Sequence, residues 1–154
     1  MAEETITRLE SSVVKYAFDV EINAPQEKVW RLLTTDISSW WPPHFNSSPD
    51  TKQFVLEPFV GGRLYEDQSN GDGVLWGHVV HLSTPNRIQI QGAMFPEYGG
   101  PGTFILSFQL EAKDAGCLLK VSDSQFGYVT DDQVRDTKSG WTEIANLLKK
   151  TAEA

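Results

Sequence analysis

Three histidines, one cysteine and a carboxylate near the end of the last strand are the groups from which this chain would have to build a metal site or a catalytic centre. His78 and His81 have the H-x-x-H form, but in a β-strand residues three apart point to opposite faces, so the spacing predicts no shared metal ion. His44 lies in a distant loop and Cys117 is the only thiol, short of the converging ligands a zinc site needs. The expectation is no metal and no cofactor. Neither G-x-S-x-G nor a phosphate-binding loop occurs, and Gly61-Gly62 and Gly99-Gly100 open no helix, so they read as turn glycines. Two polar candidates remain. His78 turned inward would hydrogen-bond a ligand or act as a base. Asp123 facing an apolar space would have its charged form disfavoured, a route to acid chemistry.

Those side chains have to be held by the elements around them. Thr130-Asp131-Asp132-Gln133 has the form of a capping box with carboxylates in the first turn, and Lys149-Lys150 stand where the helix dipole favours cations. Between them Val134, Thr137, Trp141, Ile144, Ala145 and Leu148 recur at three- and four-residue intervals, the apolar stripe of a helix roughly 30 Å long at about 1.5 Å per residue. Tyr16, Phe18, Val20 and Ile22 alternate with polar or small residues, as in a strand with one buried face. Ala24-Pro25 starts a short helix with Val29, Trp30, Leu32 and Leu33 on its apolar side. Another helical turn over Asp36 to Trp41 is closed by Pro42-Pro43.

From Lys52 onward, turn residues separate strands predicted over Lys52 to Glu57, Arg63 to Gln68, Val74 to Leu82, Arg87 to Gly92, Thr103 to Glu111 and Cys117 to Phe126. With residues 82 and 88 opposite one another, Trp76, His78, Val80 and Leu82 share a face with Ile88 and Ile90. Phe104, Leu106, Phe108 and Leu110 form the inner face of the next strand, and Leu119, Val121 and Asp123 that of the last. Phe95 to Gly102, rich in Gly and Pro, is a candidate lid. The pattern makes an α+β fold: a seven-stranded antiparallel sheet whose apolar face is filled by the long C-terminal helix. Trp76 on the sheet and Trp141 on the helix are then the pocket candidates, with Phe108 and Ile144 beside them.

Composition narrows the partners. The 154 residues match one domain, 1–154, with 1–10 a polar tail. Thirteen basic against 21 acidic residues give a formal charge of -8, which disfavours nucleic acid and anionic lipid surfaces. No apolar run reaches the roughly 20 residues of a membrane span. Without a secretory signal, the cytoplasm is the expected compartment.

Ile22-Asn23-Ala24-Pro25 with Val29-Trp30, Trp40-Trp41, Glu57-Pro58 with Gly61-Gly62-Arg63, Gly77-His78-Val79 leading to Pro85, and Gly140-Trp141 before Leu147-Leu148 together resemble a known family. It is the Hsp90-ATPase-activator-like branch of the START/Bet v 1 superfamily, the SRPBCC proteins, over about residues 13 to 150. The resemblance implies a helix-grip fold: a curved antiparallel sheet around a C-terminal helix, with two short helices between strands 1 and 2. It also implies a deep apolar cavity between helix and sheet. Asp123 stands where many branch members carry a histidine, near the cavity mouth, where it is expected to be wet. The leading functional expectation is non-catalytic binding of an apolar, lipid-like or aromatic molecule between Trp141, Ile144 and the sheet residues Trp76, His78, Phe108 and Asp123. A cyclase or hydrolase using His78 with Asp123 is the second. A co-chaperone-like or homodimeric interaction module using the outer sheet face or edge is the third.

Overall fold

A computed structural model describes residues 4–154. Of the tail expected over 1–10, residues 1–3 lie outside the described residues, and residues 4–11 are exposed without helix or strand. The order is β1 (Ser12–Ile22), α1 (Gln26–Leu33), 3-10 turns at Ile37–Ser39 and Pro43–Phe45, β2 (Gln53–Leu56), β3 (Arg63–Asp67), β4 (Gly73–Ser83), β5 (Arg87–Met94), a 3-10 turn at Pro96–Tyr98, β6 (Gly102–Lys113), β7 (Gly116–Gly127) and α2 (Asp131–Glu153). The strands form one antiparallel sheet in the order β1-β7-β6-β5-β4-β3-β2. β1 pairs with β7, so α1 and the two turns after it carry the chain from one edge of the sheet to the other, over its concave face.

Alternation decides which side is buried. Leu106, Phe108 and Leu110 on β6, Leu119 and Val121 on β7, and Ile88 and Ile90 on β5 face the core with Ile144, Ala145 and Leu148 of α2. The helix starts as its sequence requires, with the Thr130 hydroxyl accepting from the Gln133 backbone N–H at 3.1 Å. The reciprocal half of the capping box does not form. Gln133 instead turns inward, its side-chain oxygen buried without a partner, and packs where a Cβ on Gly99 would stand. At the other end Lys149 Nζ donates to the Glu21 carbonyl and to Glu153, while Glu153 accepts from the Asn23 backbone N–H, 2.7 Å in each case. These bonds fasten the last turns of α2 to the end of β1, so the helix cannot slide along the hollow it fills.

β4 departs from the expected register. Leu82 does pair with Ile88, but a bulge between Val79 and His81 shifts the strand, and a second irregularity opposite Leu64 and Tyr65 shifts it again. Each bulge adds a residue and reverses which parity faces in. Gly77 and Val79 are therefore buried, and His78, Val80 and His81 are exposed.

Candidate functional site

Between the middle of α2 and the sheet lies a cavity of about 280 Å³. Its wall is aromatic: Trp41, Phe45 and Phe54 from the connection after α1 and from β2, Trp76 and Phe104 from the sheet, and Trp141 from α2. Trp41 lies flat on Phe54, centroids 3.7 Å apart and planes within 2°. Trp141 meets Trp41 and Phe108 edge-on at 6.1 and 5.6 Å, the geometry ring quadrupoles favour. Leu64, Met94 and Ile144 add apolar surface, and the polar members of the wall are Asp123, Gln125, Asp136 and Thr137.

Trp76, Asp123, Trp141 and Ile144 are thus brought together as the sequence predicts. Phe108 sits one layer deeper, lining a recess of only about 10 Å³ beneath Trp41, Trp141 and Ile144. His78 does not join them. The β4 bulge turns it outward, into a shallow surface groove with Gln91, Phe95 and Tyr98. An acid-base pair of His78 with Asp123 is excluded, because one lies on the outer side of the sheet and the other is buried on its inner side. The same bulge puts His78 and His81 on one face rather than on opposite faces. His81 Nδ1 is engaged there with the Gln89 side chain at 3.0 Å. Among the described residues no three His, Cys, Asp or Glu side chains converge as metal ligands.

Asp123 is not wet. It is 3% exposed, because β7 runs four residues further, to Gly127, and Gln125 and α2 close over it. Gln125 Nε2 donates to Asp123 Oδ2 at 2.7 Å and to Thr137 Oγ1 at 3.0 Å. Asp123 Oδ1 and Gln125 Oε1 are buried with no donor in good hydrogen-bond geometry, and the Tyr16 hydroxyl, buried on β1 opposite Asp123, is the donor nearest that carboxylate. Burial pushes the Asp123 carboxyl above its ordinary 3.8, with Gln125 and Tyr16 pulling the other way. Burial and the neighbouring Asp123 push the Tyr16 hydroxyl up.

A stability consequence follows from the sign of the Asp123 shift. Between its ordinary value and its raised folded value the native state binds more protons than the unfolded chain, so stability falls as pH rises through that window and stays reduced above it. Asp123→Asn is expected to be more stable than the parent at about pH 8, with the difference shrinking as pH falls towards about 4. Urea unfolding of both proteins across that range checks this, and a difference independent of pH would contradict it.

Sequence reasoning missed Glu66. It is 1% exposed on the inner face of β3. Its Oε1 accepts from the Ser47 backbone N–H and hydroxyl and from the Thr51 hydroxyl, at 2.9, 3.0 and 2.7 Å. Its Oε2 accepts from the Trp76 indole N–H at 2.8 Å. The signal was present, since Glu66 shares the inward parity of Leu64. Gly92 helps seat the same tryptophan: a Cβ there would collide with the Trp76 carbonyl and the Phe104 ring.

The family model described as activator of Hsp90 ATPase homolog 1-like protein matches residues 23–153. The chain belongs to that family. No curated protein matches it at a significant level. Among solved structures, that of the Aha1 dimer from Colwellia psychrerythraea is 24% identical, covers 91% of this chain and 96% of its own, and superposes with a TM-score of 0.64. Ara h 8.0201 is 16% identical, over 92% of this chain and 98% of that one, with a TM-score of 0.67. DynU16, from the dynemicin biosynthetic locus, is 19% identical over 88% of this chain and 46% of its own, TM-score 0.62. These likenesses bear out the helix-grip fold, and the family match bears out the resemblance to the Hsp90-activator-like branch. No helix among the described residues is long and apolar enough to cross a membrane.

Within this Hsp90-activator-like domain, Gly140 is a glycine in the middle of a long helix, against the cavity. A Cβ there meets only the edge of Phe45, at 3.5 Å, an ordinary contact. Gly140→Ala is therefore expected to raise stability by about 1 kcal/mol through helix propensity, measured by urea unfolding. A loss of stability would mean that the helix and Phe45 are packed more tightly than this distance implies.

Proposed function

We propose that this chain is a non-catalytic binding protein for a small, largely apolar, aromatic molecule held between α2 and the sheet. The supporting observation is an aromatic-walled space of about 280 Å³, near the lower end of the roughly 300–1,000 Å³ typical of ligand pockets. Trp76 belongs both to this cavity and to the outer groove, where Phe95 and Tyr98 pack on it with ring centroids 5.6 and 5.5 Å away. Their packing on this shared tryptophan supports the Phe95 to Gly102 segment as the cover a ligand would pass under. Three wall tryptophans make occupancy visible as quenched or blue-shifted emission. Free ligand at about 100 times its Kd adds about 2.7 kcal/mol of stability, a rise in Tm of about 5–10 °C for a chain this size. A panel of small aromatics and lipids that moves neither emission nor Tm would dispose of the reading.

A second reading has its own observation. Val13 and Phe126 stand opposite one another across β1 and β7, 76% and 53% exposed, and Ile105 is exposed nearby on β6. The relative from Colwellia psychrerythraea is described as a dimer, and this apolar end of the sheet suits a second copy of the chain. Sedimentation is expected to find self-association that Phe126→Lys abolishes; a monomer at every concentration would rule it out.

A further inference from the structure

We propose that the ligand of the cavity is a cationic amine, its apolar body among the tryptophans and its ammonium group on Asp123. This rests on the binding function proposed above and adds the chemical class. The first observation is charge: the wall carries Asp123 and Asp136 and no Lys, Arg or His. A fatty acid or any other anionic amphiphile would bring its carboxylate against another with no counter-cation at hand, a cost that rises steeply away from water. A cation meets the opposite situation.

The second observation is hydrogen bonding. Asp123 and Gln125 are 3% and 4% exposed and both line the cavity; Gln125 Oε1 has no donor, and Asp123 Oδ1 has none in good geometry, with the Tyr16 hydroxyl alone near it. The wall thus offers spare acceptors. The Tyr16 hydroxyl is the donor facing Asp123 across the strands, and even if it turned onto the carboxylate, the two oxygens have about four lone-pair sites between them. An ammonium brings three donors and no lone pair. An alcohol brings one donor and a lone pair that the carboxylate repels. The third observation is the rings: Trp41, Trp76 and Trp141 surround the space, and a cation over an indole face is attracted by its quadrupole, more so once desolvated. Carboxylate and spare acceptors select for the same group, and the indoles that line the space suit it.

A matched series tests this: naphthylmethylamine, naphthylmethanol and naphthoate, titrated into the whole chain near neutral pH by calorimetry, with Tm measured in parallel. The amine is expected to bind at least tenfold tighter than the alcohol, and the acid to cause no shift. Asp123→Asn is expected to abolish the preference, so that amine and alcohol bind with about the same affinity. If the alcohol or acid binds as well as the amine, or the preference survives Asp123→Asn, the amine assignment falls and the cavity remains a binding site for neutral ligands. If none of the three binds and the wider panel is also silent, the binding function falls with it. Should Asp123→Asn fail to fold, the parent series still decides the amine preference.

Discussion

Glu66→Ala is expected to lower the unfolding free energy by about 3–5 kcal/mol, a large part of the roughly 5–15 kcal/mol typical of a whole domain. The side chain is 1% exposed and accepts four hydrogen bonds. Bonds to an ionised acceptor contribute about 1.5–3 kcal/mol each, and donors left unpaired in the interior carry a further desolvation cost. The full sum is not reached, because Ser47 and Thr51 are only half-buried and regain water once freed. The indole N–H of Trp76 has less opportunity. Glu66→Gln separates the two groups of bonds: its oxygen keeps the Ser47 and Thr51 donors, and its NH₂ is brought against the Trp76 N–H. A loss of about 1–3 kcal/mol, with a shifted Trp76 indole resonance, is expected there. Urea unfolding of both variants checks the order, and a loss under about 1 kcal/mol for Glu66→Ala would mean that the carboxylate does not hold loop and tryptophan together.

The elements with the strongest periodicity were legible from the sequence, and what bent that periodicity was not. β6 and β7 keep strict alternation, and Leu106, Phe108, Leu119 and Val121 face in as the pattern requires. The α2 stripe puts Trp141 and Ile144 on the cavity for the same reason. In β4 the pattern is correct at both ends and wrong in the middle. Two bulges each reverse the parity, so Trp76 and Leu82 turn inward as expected while His78 and Val80 between them turn out. A bulge costs one unpaired residue and leaves no reliable mark on composition. The Asp123 expectation failed on what covers the strand end: β7 stops at Gly127, one residue past the expected Phe126, but Gln125, bonded to Thr137 of α2, roofs the carboxylate. Trp41 gives no sign in the sequence of its place in the wall. Its flat stacking on Phe54, which makes it wall, joins residues from separate elements and has no local signature.

Trp141→Ala is the substitution that bears most directly on the cavity. The ring is half-buried, between the edges of Phe108 and Trp41, so its removal takes away a large apolar surface and opens the small recess beneath into the space above. Truncating a core aromatic costs about 3–5 kcal/mol, and the lower end applies to a ring not fully enclosed. At roughly 2–4 °C per kcal/mol, Tm is expected to fall by about 6–12 °C. Had the ring only propped the helix, nothing small in solution would replace it. If it completes a cavity wall, the vacated space is apolar and stays dry, and indole added to the variant is expected to recover part of the lost Tm. Full-size destabilisation without rescue would leave Trp141 as helix packing alone. A loss below about 1 kcal/mol would mean that α2 is held chiefly by Ile144, Ala145 and Leu148, and that the ring does not bound the space at all.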